Sequence, residues 1–288
     1  MGRIRPTLHG SQLRGAKLDL EQKAALAQKY GYPGLDFSLA EARAVDSSPA
    51  AVTALLARYG VEASTVSGVL SASVVVPDEQ FEAALEALPA NAREAAAVGG
   101  RRTQTVLPGR ATQPKDELWP LVVERIRRLD SALDGTGVRL GMEFLGVKTL
   151  RPGVPHAFVQ SMAEALRLLD EAGARHVGLT LDSYHWYAAG DSLDTIRHSA
   201  PERLVLLHVN DAKDLPRESL LDGDRLVPGE GVIPLTDWLK AIASTGFDGF
   251  IAMEVLGPRL ADVDAESCAK LGMEAQQRLF AAAGLPLV

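Results

Sequence analysis

Four apolar runs between residues 138 and 254 each deliver an ionisable residue near their end. VRLGMEF carries Glu143, VGLTLD ends on Asp182, LVLLH ends on His208 and FIAME ends on Glu254. Taken singly, an acidic residue after an apolar run is more often a helix cap or surface loop residue, and a lone histidine a satisfied packing residue. Taken together they pose an electrostatic problem. Groups of this kind held close inside a protein are costly unless they share a compensating charge, because an isolated buried carboxylate shifts its pKa and neutralises instead. One divalent metal ion is the economical solution. Three carboxylates and one imidazole make an oxygen-rich N/O donor set that suits Mn2+, Mg2+, Co2+ or Zn2+ and leaves positions open for substrate oxygens. Spacing alone does not choose among these metals. His185, three residues after Asp182 in LTLDSYH, stands beside this set.

Such residues act together only if the fold sets them side by side. Short β-like runs occur at 4–10, 34–38, 61–69, 102–109, 138–146, 177–185, 204–212 and 250–257. Between them lie LEQKAALAQKYG, PAAVTALLARYG, ELWPLVVERIRRLDSAL, FVQSMAEALRLLDEAGA and LTDWLKAIASTG, with apolar residues at i, i+3, i+4 spacing and Gly just past several ends. Strand then helix, eight times over, predicts an α/β fold, a (β/α)8 TIM barrel, with a helical region at 262–283 closing it. A doubly wound open sheet is the alternative, but no GxGxxG follows the first strand. No composition shift or Pro/Ser-rich linker marks a boundary, so residues 1–288 read as one domain. In a barrel of this kind the active site lies at the C-terminal ends of the strands. Glu143, Asp182, His208 and Glu254 would then sit at equivalent height on strands five to eight.

Bulk properties narrow the partners. The 288 residues are 47% hydrophobic and 23% charged, the composition of an ordinary globular chain. A formal net charge of −7 argues against a nucleic-acid partner, which would call for clustered Lys and Arg. The single cysteine, Cys268, forms no internal disulfide, and MGRIRPTLHG lacks the apolar run of a signal peptide. A reducing, cytoplasmic setting is expected. No uninterrupted apolar run approaches the ~18 residues of a membrane span. A homo-oligomer is compatible with this composition.

At the four strand-end residues the sequence resembles the xylose isomerase-like TIM barrels, the sugar phosphate isomerase/epimerase superfamily. The likeness runs from GYPGLDF, similar to the usual second strand, to IAMEV, and includes VPGEGVIP at 227–234. It implies that Glu143, Asp182, His208 and Glu254 hold one divalent cation, and that Glu143 and Glu254 also carry protons, as base and acid. The substrate implied is a small polyhydroxylated carbonyl compound, isomerised or epimerised through a metal-stabilised enediolate. His185 would orient it; Arg217 is expected to contact it, because relatives place an arginine shortly after the histidine ligand. His9 is a further substrate-binding candidate, and Asp36 stands where many relatives have Glu. Trp186 and Tyr187 offer a possible apolar wall. Most of NDAKDLPRESLLDGDRLVPGEG is expected to be a solvated charged loop. A dehydratase or other lyase of the same superfamily, acting on dehydroshikimate- or inosose-type substrates, is the alternative. The apurinic endonucleases of this fold are disfavoured: SGV and LPG lack histidines, and no Asp-x-His follows His208.

Overall fold

The structure, a computed structural model, describes residues 2–13, 16–45, 48–150 and 153–287. Its principal sheet has eight parallel strands in the order β3-β2-β1-β10-β9-β8-β6-β4. These are β1 (Ile4–Leu8), β2 (Gly34–Ser38), β3 (Glu62–Ser67), β4 (Arg102–Leu107), β6 (Arg139–Phe144), β8 (Val177–Asp182), β9 (Leu204–Val209) and β10 (Gly249–Met253). The first and last strands pair, Ile4 with Gly249 through Thr7 with Ala252, and β3 lies alongside β4, so the sheet is a near-closed barrel. All eight runs expected from the sequence are present. Two residues each of β5 (Arg110–Ala111) and β7 (His156–Ala157) add a small antiparallel pair.

The helices are α1 (Leu20–Tyr30), α2 (Leu39–Val45), α3 (Pro49–Tyr59), α4 (Asp78–Ala97), α5 (Lys115–Leu133) and α6 (Met162–Ala172). They are followed by α7 (Ser183–Ala189), α8 (Leu193–Arg197), α9 (Leu235–Thr245) and α10 (Ala265–Ala283). Around the barrel α3 packs on α4, α4 on α5, α5 on α6, α8 on α9, α9 on α10, and α10 returns to α1. The apolar stripe that predicted each helix is what it buries. In α6, for example, Met162, Ala165, Leu168, Leu169 and Ala172 are buried, and Gly173 ends the helix with φ +67°. No helix among the described residues is long and apolar enough to cross a membrane.

Strand alternation decides what faces the barrel axis. In β6, Leu140, Met142 and Phe144 are fully buried in the apolar core, leaving Arg139, Gly141 and Glu143 on the inner face. The inner layers are tightly fitted. Gly34 has no side chain because a Cβ there would lie 2.7 Å from the Phe250 ring. At the N-terminal end Phe250 is flanked by Arg5, its guanidinium carbon 4.2 Å from the ring centroid. Arg102 lies at 5.5 Å. Arg102 donates to the Val205 and Asp248 carbonyls, while burial, and then Arg5 and Arg139, lower its pKa to about 10. These arginines plug one mouth of the barrel, and the acidic residues stand at the other.

Every strand of the barrel except β2 stops short of its expected run, and two of these differences bear on the acidic strand ends. The run at 177–185 splits at Asp182, where β8 stops and α7 starts, and β9 ends at Val209. Asp182 Oδ1 accepts the Tyr184 amide at 2.7 Å and the His185 amide at 3.1 Å, so this aspartate caps α7. The local cap and the place in a cluster are both true of Asp182, because the two carboxylate oxygens face different partners.

Candidate active site

Register places the four residues at one level. Glu143 pairs with Thr180 of β8, Asp182 with His208, and His208 with Ala252, two residues before Glu254. One ligand atom from each of Glu143, Asp182, His208 and Glu254 lies within 4.8 Å of every other. His208 Nδ1 is the centre of the group: 3.0 Å from Glu143 Oε1, 3.5 Å from Glu254 Oε2 and 4.0 Å from Asp182 Oδ2. Asp182 and His208 are fully buried.

Burial opposes charge on His208, yet the Glu254 and Glu143 carboxylates outweigh it and hold the imidazole pKa well above the ordinary value. Burial likewise opposes charge on Glu254, and His208 followed by Arg225 brings that carboxyl well below its ordinary range.

These residues fit a divalent cation by geometry and by charge. Donors around an ion at ~2.1 Å are separated by up to ~4.2 Å, so the observed spacings need little contraction. With His208 neutral and its Nδ1 a donor, the three carboxylates are balanced by Arg225 and one divalent ion. Hard oxygens with one imidazole nitrogen suit Mn2+, Mg2+, Co2+ or Zn2+ alike.

Arg225 is the component that sequence reading missed. It is 1% exposed, and its Nη1 donates to Glu254 Oε2 at 2.7 Å and Asp182 Oδ2 at 3.0 Å, while Nη2 donates to Asp222 Oδ1 at 2.6 Å. Arg217, the arginine expected here, lies instead on an exposed 3-10 turn with its guanidinium over the Tyr187 ring. The different placement of the two arginines has a physical reason: the loop after β9 doubles back. Asp211 and Leu226 exchange backbone hydrogen bonds at 2.9 and 2.8 Å, which holds the preceding Arg225 inside and leaves the intervening turn outside.

The same doubling back corrects the expectation of a solvated loop for Asn210 and Asp211. Asn210 is fully buried and donates to Asp182 Oδ2 at 2.9 Å and to the Glu254 carbonyl at 3.2 Å. Asp211 accepts the amides of Ala212, Gly229, Gly231 and Ile233 and so ties VPGEGVIP to the end of β9. Gly231 approaches so closely that a Cβ would lie 2.1 Å from the Ala212 carbonyl oxygen. The D-G-D-R order before this segment was a usable signal, since a buried loop aspartate calls for donors and a buried arginine for carboxylates.

His185 is buried, its Nε2 3.3 Å from Arg225 Nη2 and 3.6 Å from Asp222 Oδ1. His9 lies on the other side, its ring centroid 5.2 Å from that of His208, and its Nε2 is 3.9 Å from Asp36 Oδ2. Burial raises the Asp36 pKa, partly offset by His9. Trp186 packs in the core and Tyr187 underlies Arg217, so neither forms a wall of the cluster.

Comparison with known proteins places the chain. An inosose isomerase of Bacillus velezensis is 28% identical over 160 residues, 56% of this chain and 55% of that protein, so the chain spans about half the length of this relative. Among solved structures, a xylose isomerase domain protein from Alicyclobacillus acidocaldarius superposes with a TM-score of 0.87 at 32% identity, covering 98% of this chain and 100% of that one. The IolI protein, solved with a bound zinc atom, shares the fold with a TM-score of 0.82 at 19% identity over 96% and 98% of the two chains. The model of the xylose isomerase-like TIM barrel family matches residues 24–279, and the chain belongs to that family.

Proposed function

We propose that this protein is a divalent-metal-dependent isomerase or epimerase of a small polyhydroxylated carbonyl compound. The observation that carries this reading is the convergence of Glu143, Asp182, His208 and Glu254 to within 4.8 Å at the strand ends of the barrel. Likeness to an inosose isomerase supports the reaction class. These four residues hold one cation, with Mn2+ favoured. When bound, the ion polarises a substrate carbonyl and stabilises the negative charge that develops on its oxygen.

The chain's own residues supply the rest. Glu143 and Glu254 enter from strands on opposite sides of β8 and β9 and act as base and acid on the carbon between them. Arg225 keeps Glu254 ionised and aimed, which a base needs. Asn210 donates to Asp182 Oδ2, while Oδ1 accepts the Tyr184 and His185 amides, so the carboxylate is held in place from both oxygens. His185 and His9, on either flank, orient substrate oxygens. Proton transfer on one carbon gives epimerisation, and transfer between neighbouring carbons gives isomerisation.

The test is solvent exchange. Metal-loaded protein is incubated in D2O with ketoses, aldoses and inososes and followed by NMR. Deuterium entering recovered or isomerised sugar, lost on chelation and restored by Mn2+, is the expected result. Full activity in chelator removes the metal from the reading. A conjugated carbonyl formed with loss of water replaces isomerase by dehydratase.

A further inference from the structure

Beside Glu143 the barrel mouth continues into a cleft of about 390 Å3, formed by the ends of β3 and β4 and the loop after β3. Its wall is mostly serine, glutamine and small apolar residues: Ser67, Ser71, Ser73, Gln104 and Val106, with Glu143 at its inner edge. Two side-chain oxygens in this wall, Ser73 Oγ and Gln104 Oε1, are buried and have no hydrogen-bond partner. Buried polar atoms are ordinarily paired, and an unpaired one calls for an explanation, of which a partner supplied by a ligand is one. Val106 is 43% exposed, an apolar surface next to hydroxyl- and amide-bearing neighbours. That combination matches a polyol, which presents C–H faces and hydroxyl edges together.

We propose that the cleft is the subsite for the far end of the substrate, that this end is a neutral polyol, and that Ser73 and Gln104 are its specificity residues. The proposal rests on the isomerase reading for the position of the reacting carbon at Glu143.

Charge decides the class. Among the described residues lining the cleft there is no Lys or Arg. The guanidinium of Arg225 is already engaged by Glu254, Asp182 and Asp222. A phosphate or carboxylate in the cleft would stand beside Glu143 with no cation of its own, whereas a hydroxyl donates to Gln104 Oε1 and exchanges a hydrogen bond with Ser73 Oγ. Both oxygens are buried beneath the cleft surface, so contact with a ligand requires these side chains to turn toward it.

The test uses metal-loaded wild-type protein, Ser73→Ala and Gln104→Ala. Turnover is measured on a neutral inosose and ketohexose and on their phosphorylated and carboxylated counterparts. Binding is read by saturation-transfer NMR with a hexahydroxycyclohexane, which has no carbonyl to react, and with its monophosphate. The expected result is a preference for neutral compounds on the order of 10²-fold in kcat/KM. Each substitution should raise KM about tenfold, the loss of one hydrogen bond, with kcat and metal content near wild type. Binding of the neutral cyclitol should weaken in parallel. Preference for the phosphorylated or carboxylated compounds, or cyclitol binding as tight in both variants as in wild type, overturns the proposal. If the neutral cyclitol binds as described but no carbonyl compound exchanges deuterium, the isomerase reading falls and the subsite stands.

Discussion

Arg225→Met removes a guanidinium from the interior while keeping most of the side chain's length. In the native protein that group donates to three carboxylates, at 3.0 Å to Asp182, 2.7 Å to Glu254 and 2.6 Å to Asp222, and is 1% exposed. Removing one partner of a buried ion pair costs about 3–5 kcal/mol, because the remaining charge is left uncompensated. At about 2.1 cal/mol/K per residue, a chain of 288 residues has an unfolding entropy of about 0.6 kcal/mol/K, so ~4 kcal/mol lowers Tm by about 7 °C. The measurement is calorimetry on metal-free protein at pH 7. That pH matters: burial raises the Glu254 pKa, but His208 and Arg225 more than offset this and depress it well below 4.5. Its stabilising contribution is therefore fully present above pH 4.5 and lost as pH falls through the depressed value. Saturating Mn2+ supplies a second cation to the same oxygens and should narrow the gap to wild type by roughly half. A metal-free Tm within 2 °C of wild type, or a gap unchanged by metal, would refute the view that Arg225 is the resident counter-ion of the cluster.

Glu254→Gln keeps the side-chain shape and one oxygen but removes the basic lone pair. It should retain weakened metal binding and lose at least ~10²-fold in turnover at saturating metal, with solvent deuterium exchange falling in step; near-normal turnover would leave Glu254 an anchor alone. His185→Ala should keep metal content near wild type and lower kcat/KM, since its Nε2 faces Arg225 and Asp222; loss of the metal in this variant would move His185 into the ligand set. Asp211→Ala strips four backbone amides of their acceptor and should cost about 3 kcal/mol or more, measured by denaturant unfolding, with protease cleavage appearing within 227–234. Arg217→Ala, on an exposed turn, should change stability by less than about 0.5 kcal/mol and leave kcat/KM within twofold.

The barrel and its acidic strand ends were readable from the sequence alone because both rest on local, periodic signals. Alternation within seven or eight residues tells a strand, i, i+3, i+4 spacing tells a helix, and a residue's place at the end of an apolar run survives folding unchanged. Glu143, Asp182, His208 and Glu254 could be named together since parallel strands in register carry their last residues to one level. The loop after β9 had no such period. Its composition is that of a solvated loop, and only the D-G-D-R order at 222–225 sets Arg225, which is buried, apart from Arg217, which stays outside. The choice between them is made by the backbone exchange of Asp211 with Leu226 and by Asp211 collecting amides from VPGEGVIP, contacts between residues far apart in the chain. The same holds for the cleft beside Glu143. Ser73 and Gln104 come from different segments, and their unpaired oxygens become a subsite only when closure of the barrel sets the loop after β3 against β4. Periodicity carries an element's identity and its inward face, while the burial and partners of a loop residue depend on which distant backbone it meets, and tertiary structure alone decides that.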